Sequence, residues 1–220
     1  MHTVELRNVT KTFGPTVAVN DLSLAVPKGS IYGFIGPNGS GKTTTLRMIM
    51  SIFYPDSGSI LLFGDGAAGV ANARIGYLPE ERGLYKNMTV REVLRFYGSL
   101  KSGRDVSREV ERWMARLELS DWAGKKIAAL SKGMSQKVQF LAAVISKPKL
   151  AMLDEPFSGL DPINAAVVRD LIRTLSESGT TVIFSTHDMR MAEEMCDFVF
   201  MIYKGKKVLD GSLDEIRVQH

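Results

Sequence analysis

The sequence predicts an α/β fold with a mostly parallel sheet, an antiparallel β segment at its start and a helical insert in its middle. Three short runs, at 31–35, 150–153 and 181–185, are almost entirely apolar or β-branched, as expected of strands buried on both faces. Apolar residues instead alternate with polar ones near the N-terminus, and helical patterns follow one another in the middle of the chain. Strands that alternate with helical segments indicate a parallel sheet.

Two N-terminal segments alternate at a period of two residues. The apolar positions are Val4, Leu6 and Val9 in the first segment, and Leu22, Leu24 and Val26 in the second. This spacing is typical of strands with one buried and one polar face. We therefore expect an antiparallel sheet ahead of residue 31. The small, Gly-rich stretch Gly64–Ala73 is expected to be a surface loop.

The middle of the chain predicts three amphipathic helices with no strand between them. The first opens with Thr89, and Glu92 stands three residues later, which is the spacing of a capping box. A later helix is predicted to begin at Asp161 as N-cap with Pro162 at its first position. We expect one domain over residues 1–220, with a core at about 1–84 and 147–220 and a helical subdomain at about 85–146. The apolar positions of the three central helices are Val90, Val93, Leu94, Tyr97, Val110, Trp113, Met114, Leu117, Val138, Leu141, Ala142 and Ile145.

Composition narrows the class of protein. The 220 residues, 45% of them hydrophobic, can fill one sizeable core. No apolar run approaches the ~20 residues of a membrane span, and the N-terminus lacks the apolar segment of a secretory signal. We therefore expect a cytoplasmic protein. The single cysteine, Cys196, excludes an intramolecular disulfide, and a net charge of +4 without a basic stripe argues against a nucleic-acid partner.

Residues 36–43, GPNGSGKT, match the phosphate-binding loop pattern G-x-x-x-x-G-K-[ST] between a buried strand and a helix. Backbone N–H groups of such a loop surround phosphate oxygens, and the helix N-terminus adds partial positive charge. Lys42 is expected to reach the β- and γ-phosphates, and the Thr43 hydroxyl to ligate Mg²⁺. The alternative, a Gly-rich turn with a chance lysine, does not account for the strand and helix on either side.

The buried run that starts at Leu150 ends in two carboxylates, Asp154 and Glu155. Adjacent residues at a strand end point in different directions. Asp154 can therefore join the magnesium shell while Glu155 faces the γ-phosphate and activates water, a role typically worth about 10²–10⁴ in rate. The alternative is that two acids before Pro156 merely end a strand.

His187 follows the run 181–185 at the sheet edge where ligands bind in such folds, although a lone histidine is often structural.

The order and spacing of these segments resemble the nucleotide-binding subunits of ATP-binding cassette (ABC) transporters over essentially the whole chain. The segments are 36–43, then LSKGM at 130–134, 150–155, SGLD at 158–161, and His187. The resemblance implies a P-loop NTPase (RecA-like) core, with ATP and Mg²⁺ held between two head-to-tail cassettes in a homodimer or heterodimer. It also implies transmembrane permease partners and a position on the inner face of the cell membrane.

The resemblance assigns roles to individual residues. Phe13 is similar to the aromatic that stacks on adenine, and Ser131 and Gly133 to the groups that bind the γ-phosphate of the second cassette's ATP. Asp161 is implied in communication between cassettes, and His187 in contact with the γ-phosphate. The helix after the signature is expected to start near Met134. The complete set is ATP-binding Phe13, Gly36, Pro37, Asn38, Gly39, Ser40, Gly41, Lys42, Thr43, Thr44, Ser131, Gly133 and Asp161, catalytic Glu155, His187 and Glu80, and metal-binding Thr43, Asp154 and Glu80.

Two departures from the family pattern are present. Lys132 and Met134 stand where the signature usually has glycine and glutamine, and Glu80 stands where the loop at 75–82 usually has glutamine. Lys132 either adds a charge near the phosphate or faces solvent. A carboxylate at Glu80 still ligates Mg²⁺ or water but adds negative charge. Both variants resemble the branch of sodium-efflux and drug or antibiotic exporters, whose members often continue into a further C-terminal domain.

The leading function is therefore ATP hydrolysis that powers export of an unknown substrate through membrane subunits. A switch GTPase needs an Asn-Lys-x-Asp motif, and no asparagine here is followed by lysine. A small-molecule kinase leaves the segments at 131–134 and 158–161 unexplained. The alternative is a soluble, non-transport cassette ATPase that acts on nucleic acid or the ribosome.

Overall fold

The computed structural model describes residues 1–66, 73–81 and 83–219 and contains two sheets. The larger sheet has six strands in the order β10-β9-β3-β8-β7-β6. All neighbouring pairs are parallel except β9 with β10, which confirms the mostly parallel sheet. The three predicted buried strands are interior members of this sheet. The strands are β3 (Ile31–Ile35), β6 (Ile75–Leu78), β7 (Leu150–Leu153), β8 (Thr181–Thr186), β9 (Phe198–Tyr203) and β10 (Lys206–Ser212).

The smaller sheet is antiparallel, in the order β2-β1-β4-β5, which confirms the predicted N-terminal sheet. Its strands are β1 (His2–Phe13), β2 (Thr16–Pro27), β4 (Ser57–Leu62) and β5 (Asp65–Gly66). The prediction of a loop over Gly64–Ala73 is wrong at its start, because Asp65–Gly66 pair with β4. Residues 67–72 lie outside the described residues.

The helices are α1 (Lys42–Ile49), α2 (Val90–Ser102), α3 (Ser107–Arg116), α4 (Lys132–Val144), α5 (Pro162–Glu177), α6 (Met189–Met195) and α7 (Leu213–Gln219). Between β6 and β7, the described residues form α2, α3 and α4 with short 3₁₀ turns and one isolated β-bridge, from Thr89 to Lys126. The capping box of Thr89 and Glu92 is present at the start of α2. In the described part of the chain, no helix is both long and apolar enough to cross a bilayer.

The six-stranded sheet separates two hydrophobic cores. Leu150 and Met152 of β7 face the core shared with the antiparallel sheet and α1, whereas Ala151 and Leu153 face the core shared with the helices. This division follows from the two-residue period of a strand. Because β3, β6, β7 and β8 are parallel, the residues that follow them meet at one edge of the sheet. That edge positions the candidate site.

Candidate functional site

A cleft of about 520 Å³ lies at this edge, where β3, β6 and β7 end. It contains nine of the residues predicted to bind or process ATP, together with four residues that sequence reasoning did not select. The nine are Asn38, Gly39, Ser40, Gly41, Lys42, Thr43, Thr44, Glu80 and Glu155, and the four are Thr16, Val17, Ala18 and Lys204. The cleft therefore combines the loop before α1 with the start of β2 and the turn between β9 and β10.

The loop at 36–43 wraps the N-terminus of α1. Gly39 and Gly41 have φ of 76° and 111°, a region that side chains other than glycine rarely adopt. A Cβ on Gly36 would lie 2.3 Å from the Ile202 carbonyl oxygen, so this position also requires glycine. The buried Lys42 Nζ donates to the carbonyl oxygens of Gly36 at 2.6 Å and Pro37 at 3.2 Å. The loop thereby presents a helix N-terminus to the cleft, where an anion is stabilised.

Asp154 is fully buried beneath the start of α1. Its Oδ1 accepts hydrogen bonds from the Ser185 hydroxyl at 2.6 Å and from the Thr43 hydroxyl at 3.3 Å. Its Oδ2 is buried and has no hydrogen-bond partner among the described residues. A hydroxyl and a carboxylate oxygen with unused acceptor capacity are the hard oxygen ligands that Mg²⁺ prefers, directly or through water. These residues fit a magnesium ion.

Glu155 is buried, and the partners of its carboxylate differ from those of the Asp154 carboxylate. Its carboxylate lies 3.6 Å from Lys42 Nζ and 3.2 Å from His187 Nδ1. Its backbone has a φ of 47°, which is uncommon for a side chain larger than glycine, and its N–H donates to the Ser185 hydroxyl at 2.8 Å. Glu155 thus connects the phosphate loop with the residue that follows β8.

Ser185 is the residue in this group that sequence reasoning missed. One hydroxyl both donates to the Asp154 carboxylate and accepts the Glu155 N–H. Ser185 ends the run 181–185, which is predicted to be a buried strand, and a serine in such a run is the signal that could have identified it. A buried hydroxyl requires a partner, and parallel strands bring residues from their ends together.

Three predicted residues lie outside the cleft and form a second unit. Ser131 caps α4 by accepting a hydrogen bond from Met134 N, so α4 begins at Lys132, two residues before the start that was expected near Met134. Asp161 caps α5 by accepting from Asn164 N at 2.9 Å, and this bond lowers the pKa of the Asp161 carboxyl. A Cβ on Gly133 would lie 2.5 Å from the Asn164 side-chain nitrogen, so the two helix starts are in close contact.

Phe13, Gly36, Pro37 and His187 also lie apart from the lining residues of the cleft. Phe13 is 43% exposed and packs edge-on against Phe53 with ring centroids 5.3 Å apart. Gly36, Pro37 and His187 line a neighbouring groove with residues of β9. The antiparallel-sheet wall of the cleft is formed by Thr16, Val17 and Ala18 instead of Phe13.

A phosphate-type loop between β3 and α1, at the carboxyl edge of a mostly parallel sheet, defines a protein with a P-loop NTPase core. The sequence model of the family described as ABC transporter matches residues 19–158. The chain therefore belongs to the ABC transporter family, as an ATP-binding subunit, which confirms the resemblance. A model described as an AAA domain, putative AbiEii toxin, Type IV TA system, matches the shorter segment 126–191.

Curated relatives and a solved structure agree with this assignment. The chain is 44% identical over 212 residues to an uncharacterized ABC transporter ATP-binding protein of Bacillus subtilis, covering 96% of this chain and 71% of that protein. It is 34% identical to the bacitracin transport ATP-binding protein of Enterococcus faecalis.

 The alignment with the Enterococcus protein spans 219 residues, which is 98% of this chain and 71% of that protein.

A third relative is the Nod factor export ATP-binding protein I of Burkholderia lata, 36% identical over 95% of this chain and 70% of that protein. Among solved structures, one described as an ATP binding subunit of an ABC transporter is 29% identical, with a TM-score of 0.90. It covers 99% of this chain and 92% of the solved chain. The fold and the family assignment thus agree over almost the whole sequence.

Proposed function

We propose that this chain hydrolyses MgATP and so powers the export of a substrate through membrane partner subunits. One observation carries the proposal. Lys42, Thr43 and Glu155 line one cleft, where the Thr43 hydroxyl lies 3.3 Å from the Asp154 carboxylate and the Lys42 ammonium 3.6 Å from the Glu155 carboxylate. Phosphate binding, a metal ligand set and a base are therefore available in one place.

In the proposed reaction, the N–H groups of the loop at 39–44 and the Lys42 ammonium hold the phosphate chain. Glu155 accepts a proton from the attacking water, and His187, 3.2 Å from that carboxylate, orients it and contacts the γ-phosphate. Thr43 and Asp154 hold Mg²⁺, with Glu80 of the cleft wall as a further ligand. Bound Mg²⁺ neutralises part of the phosphate charge.

The proposal includes a second ATP-binding cassette, identical or different. Its support is that Ser131, Gly133 and Asp161 lie on a unit separate from the cleft that contains Lys42. We propose that these residues contact a nucleotide held by the other cassette. We propose that ATP closes this dimer, that hydrolysis reopens it, and that both cassettes sit on the cytoplasmic face of the membrane beside permease subunits.

Export is supported by the name of one relative, the Nod factor export ATP-binding protein I, and transport by the name of another, the bacitracin transport ATP-binding protein. No basic stripe favours nucleic acid as a partner, since 28 basic and 24 acidic residues are spread along the chain. Isolation from gentle detergent tests this assignment. A copurifying integral membrane protein is expected, whereas recovery of only ribosomes or DNA would establish the non-transport alternative.

The test of the reaction is Glu155→Gln, which keeps the shape of the side chain but removes the base. We expect steady-state ATP hydrolysis to fall by about 10²–10⁴, while ATP affinity persists and ATP traps a dimer in size-exclusion chromatography. Glu193→Gln, an exposed change on α6, is the matched control and should leave turnover unchanged. Normal hydrolysis by the Glu155 variant would remove Glu155 from the base role.

A further inference from the structure

The cleft contains a second lysine that no motif selected. Lys204 lines the cleft together with the phosphate loop and Thr16–Ala18, although it lies far along the chain from both, in the turn between β9 and β10. It is exposed, and its Nζ lies 5.3 Å from the centroid of the Tyr203 ring. Among the described residues, no hydrogen bond or ion pair engages this ammonium. Its charge is therefore available to a ligand in the cleft.

The turn that carries Lys204 is fixed tightly to the phosphate loop. Tyr203 pairs with Lys206, so Lys204 and Gly205 form a two-residue hairpin turn between β9 and β10. Gly205 N donates to the Ser40 carbonyl oxygen at 2.9 Å. Asn20 N of β2 donates to the Gly205 carbonyl oxygen at 2.8 Å, and a Cβ on Gly205 would lie only 2.9 Å from the Ala18 carbonyl oxygen, so the turn packs closely against β2. The turn that carries Lys204 is thus fixed at the cleft by contacts with the phosphate loop and with β2.

The backbone of Lys204 is unusual for a lysine. Its φ is 47° and that of Gly205 is 75°, so both central residues of the turn are left-handed. Hairpin turns with this backbone favour asparagine, aspartate or glycine at the first central position. Lysine offers no local hydrogen bond that compensates for the strain. Its presence at this position is better explained by the charge that it brings to the cleft.

The charge balance of the cleft gives that ammonium a role. The lining holds two lysines and two glutamates, Lys42, Lys204, Glu80 and Glu155. Lys42 already donates to two carbonyl oxygens and lies 3.6 Å from Glu155. A triphosphate brings strong negative charge into this lining, so an uncommitted cation at its wall stabilises the bound state.

We infer that Lys204 is a nucleotide-binding residue whose ammonium contacts the phosphate chain of ATP in the cleft. The inference rests on the proposed function, in which ATP occupies the cleft lined by residues 38–44. It adds a cation from the β9–β10 turn to the phosphate loop of the same chain. Because Lys204 is exposed, its contribution is screened by salt more strongly than that of the buried Lys42.

The test is calorimetric titration of the purified chain with Mg²⁺ and AMP-PNP, an ATP analogue that is not hydrolysed. Lys204→Gln is expected to raise the Kd by roughly three- to tenfold at low salt. The difference should shrink in about 0.5 M NaCl, where screening is strong. Lys204→Arg, which retains the charge, should bind close to the unsubstituted chain.

Two comparisons make the outcome decisive. Lys206→Gln removes a charge from the same hairpin at an exposed position that does not line the cleft, and it should leave the Kd unchanged. Equal losses for Lys204→Gln and Lys206→Gln would overturn the inference in favour of general charge attraction. Unchanged affinity of Lys204→Gln, with weakened binding by Lys42→Ala, would overturn the inference and leave the proposed function standing. Unaltered affinity of Lys42→Ala would overturn both.

Discussion

Replacing Ser185 with alanine removes one hydroxyl that serves both acidic residues of the candidate site. Ser185 Oγ donates to Asp154 Oδ1 at 2.6 Å and accepts the Glu155 N–H at 2.8 Å, and all three residues are buried. In Ser185→Ala the carboxylate loses a charge-assisted donor, and a buried N–H loses its acceptor. Ser185 and Asp154 have no exposed surface, so water cannot readily replace the lost donor.

The size of the effect follows from these two losses. A hydrogen bond to a charged group is worth about 1.5–3 kcal/mol, and leaving a buried donor unsatisfied costs about 1–3 kcal/mol. Because both losses arise from one hydroxyl and neighbouring groups relax together, we expect a combined decrease of about 3–4 kcal/mol in the free energy of unfolding. This is a large part of a typical domain stability of about 5–15 kcal/mol.

Urea denaturation at neutral pH measures this decrease. With an m-value of about 2–3 kcal/mol/M, the midpoint should fall by roughly 1–2 M. Ser30→Ala is the matched control, because Ser30 is also buried but its hydroxyl donates to a neutral acceptor, the Pro27 carbonyl oxygen at 2.8 Å. That control should lose about 1 kcal/mol. A Ser185→Ala midpoint equal to that of Ser30→Ala would refute the reasoning that one hydroxyl satisfies both acidic residues.

Two further predictions concern interactions remote from the cleft. Hydrogen bonds from Lys11 and Thr12 lower the pKa of Asp56 from 3.8 to about 2. Because the pKa of Asp56 is lower in the folded than in the unfolded chain, its ionised carboxylate stabilises the fold at pH values above the unfolded-state pKa. The deficit in melting temperature of Asp56→Asn should therefore be full at neutral pH and vanish as the pH falls from about 4 to about 2. A deficit that grows on acidification would contradict the assignment. Thr89→Ala removes the N-cap of α2, whose hydroxyl accepts from Glu92 N at 3.3 Å, and should cost about 1 kcal/mol in urea denaturation. Ser99→Ala, exposed on the same helix, should not change the midpoint, and equal stability of both variants would exclude a capping contribution.

The fold was predictable where a local pattern determines the element. The runs at 31–35 and 150–153 are strands at the predicted bounds, and the third run extends one residue further to Thr186. The caps at Thr89 and Asp161 are present because a short polar side chain at that position satisfies N–H groups that the helix itself leaves unpaired. The β9–β10 hairpin was not predicted. Residues 206–212 carry two large apolar side chains, Val208 and Leu209, and because these are adjacent no two-residue period marks the strand.

The candidate site was predictable residue by residue but not contact by contact. Lys42, Asp154 and Glu155 belong to short motifs, so their residue types and spacing identify them. Ser185 and Lys204 belong to no such motif, and the order of strands in the sheet places them beside these residues. Leu153 pairs with Phe184 in parallel register, which sets Asp154 and Ser185 side by side one residue later. Lys204 arrives because β9 lies beside β3, so the turn after β9 meets the loop after β3. A motif therefore identifies the groups that are expected to act on a ligand, whereas strand order determines which side chains outside the motifs, such as Ser185 and Lys204, lie beside them.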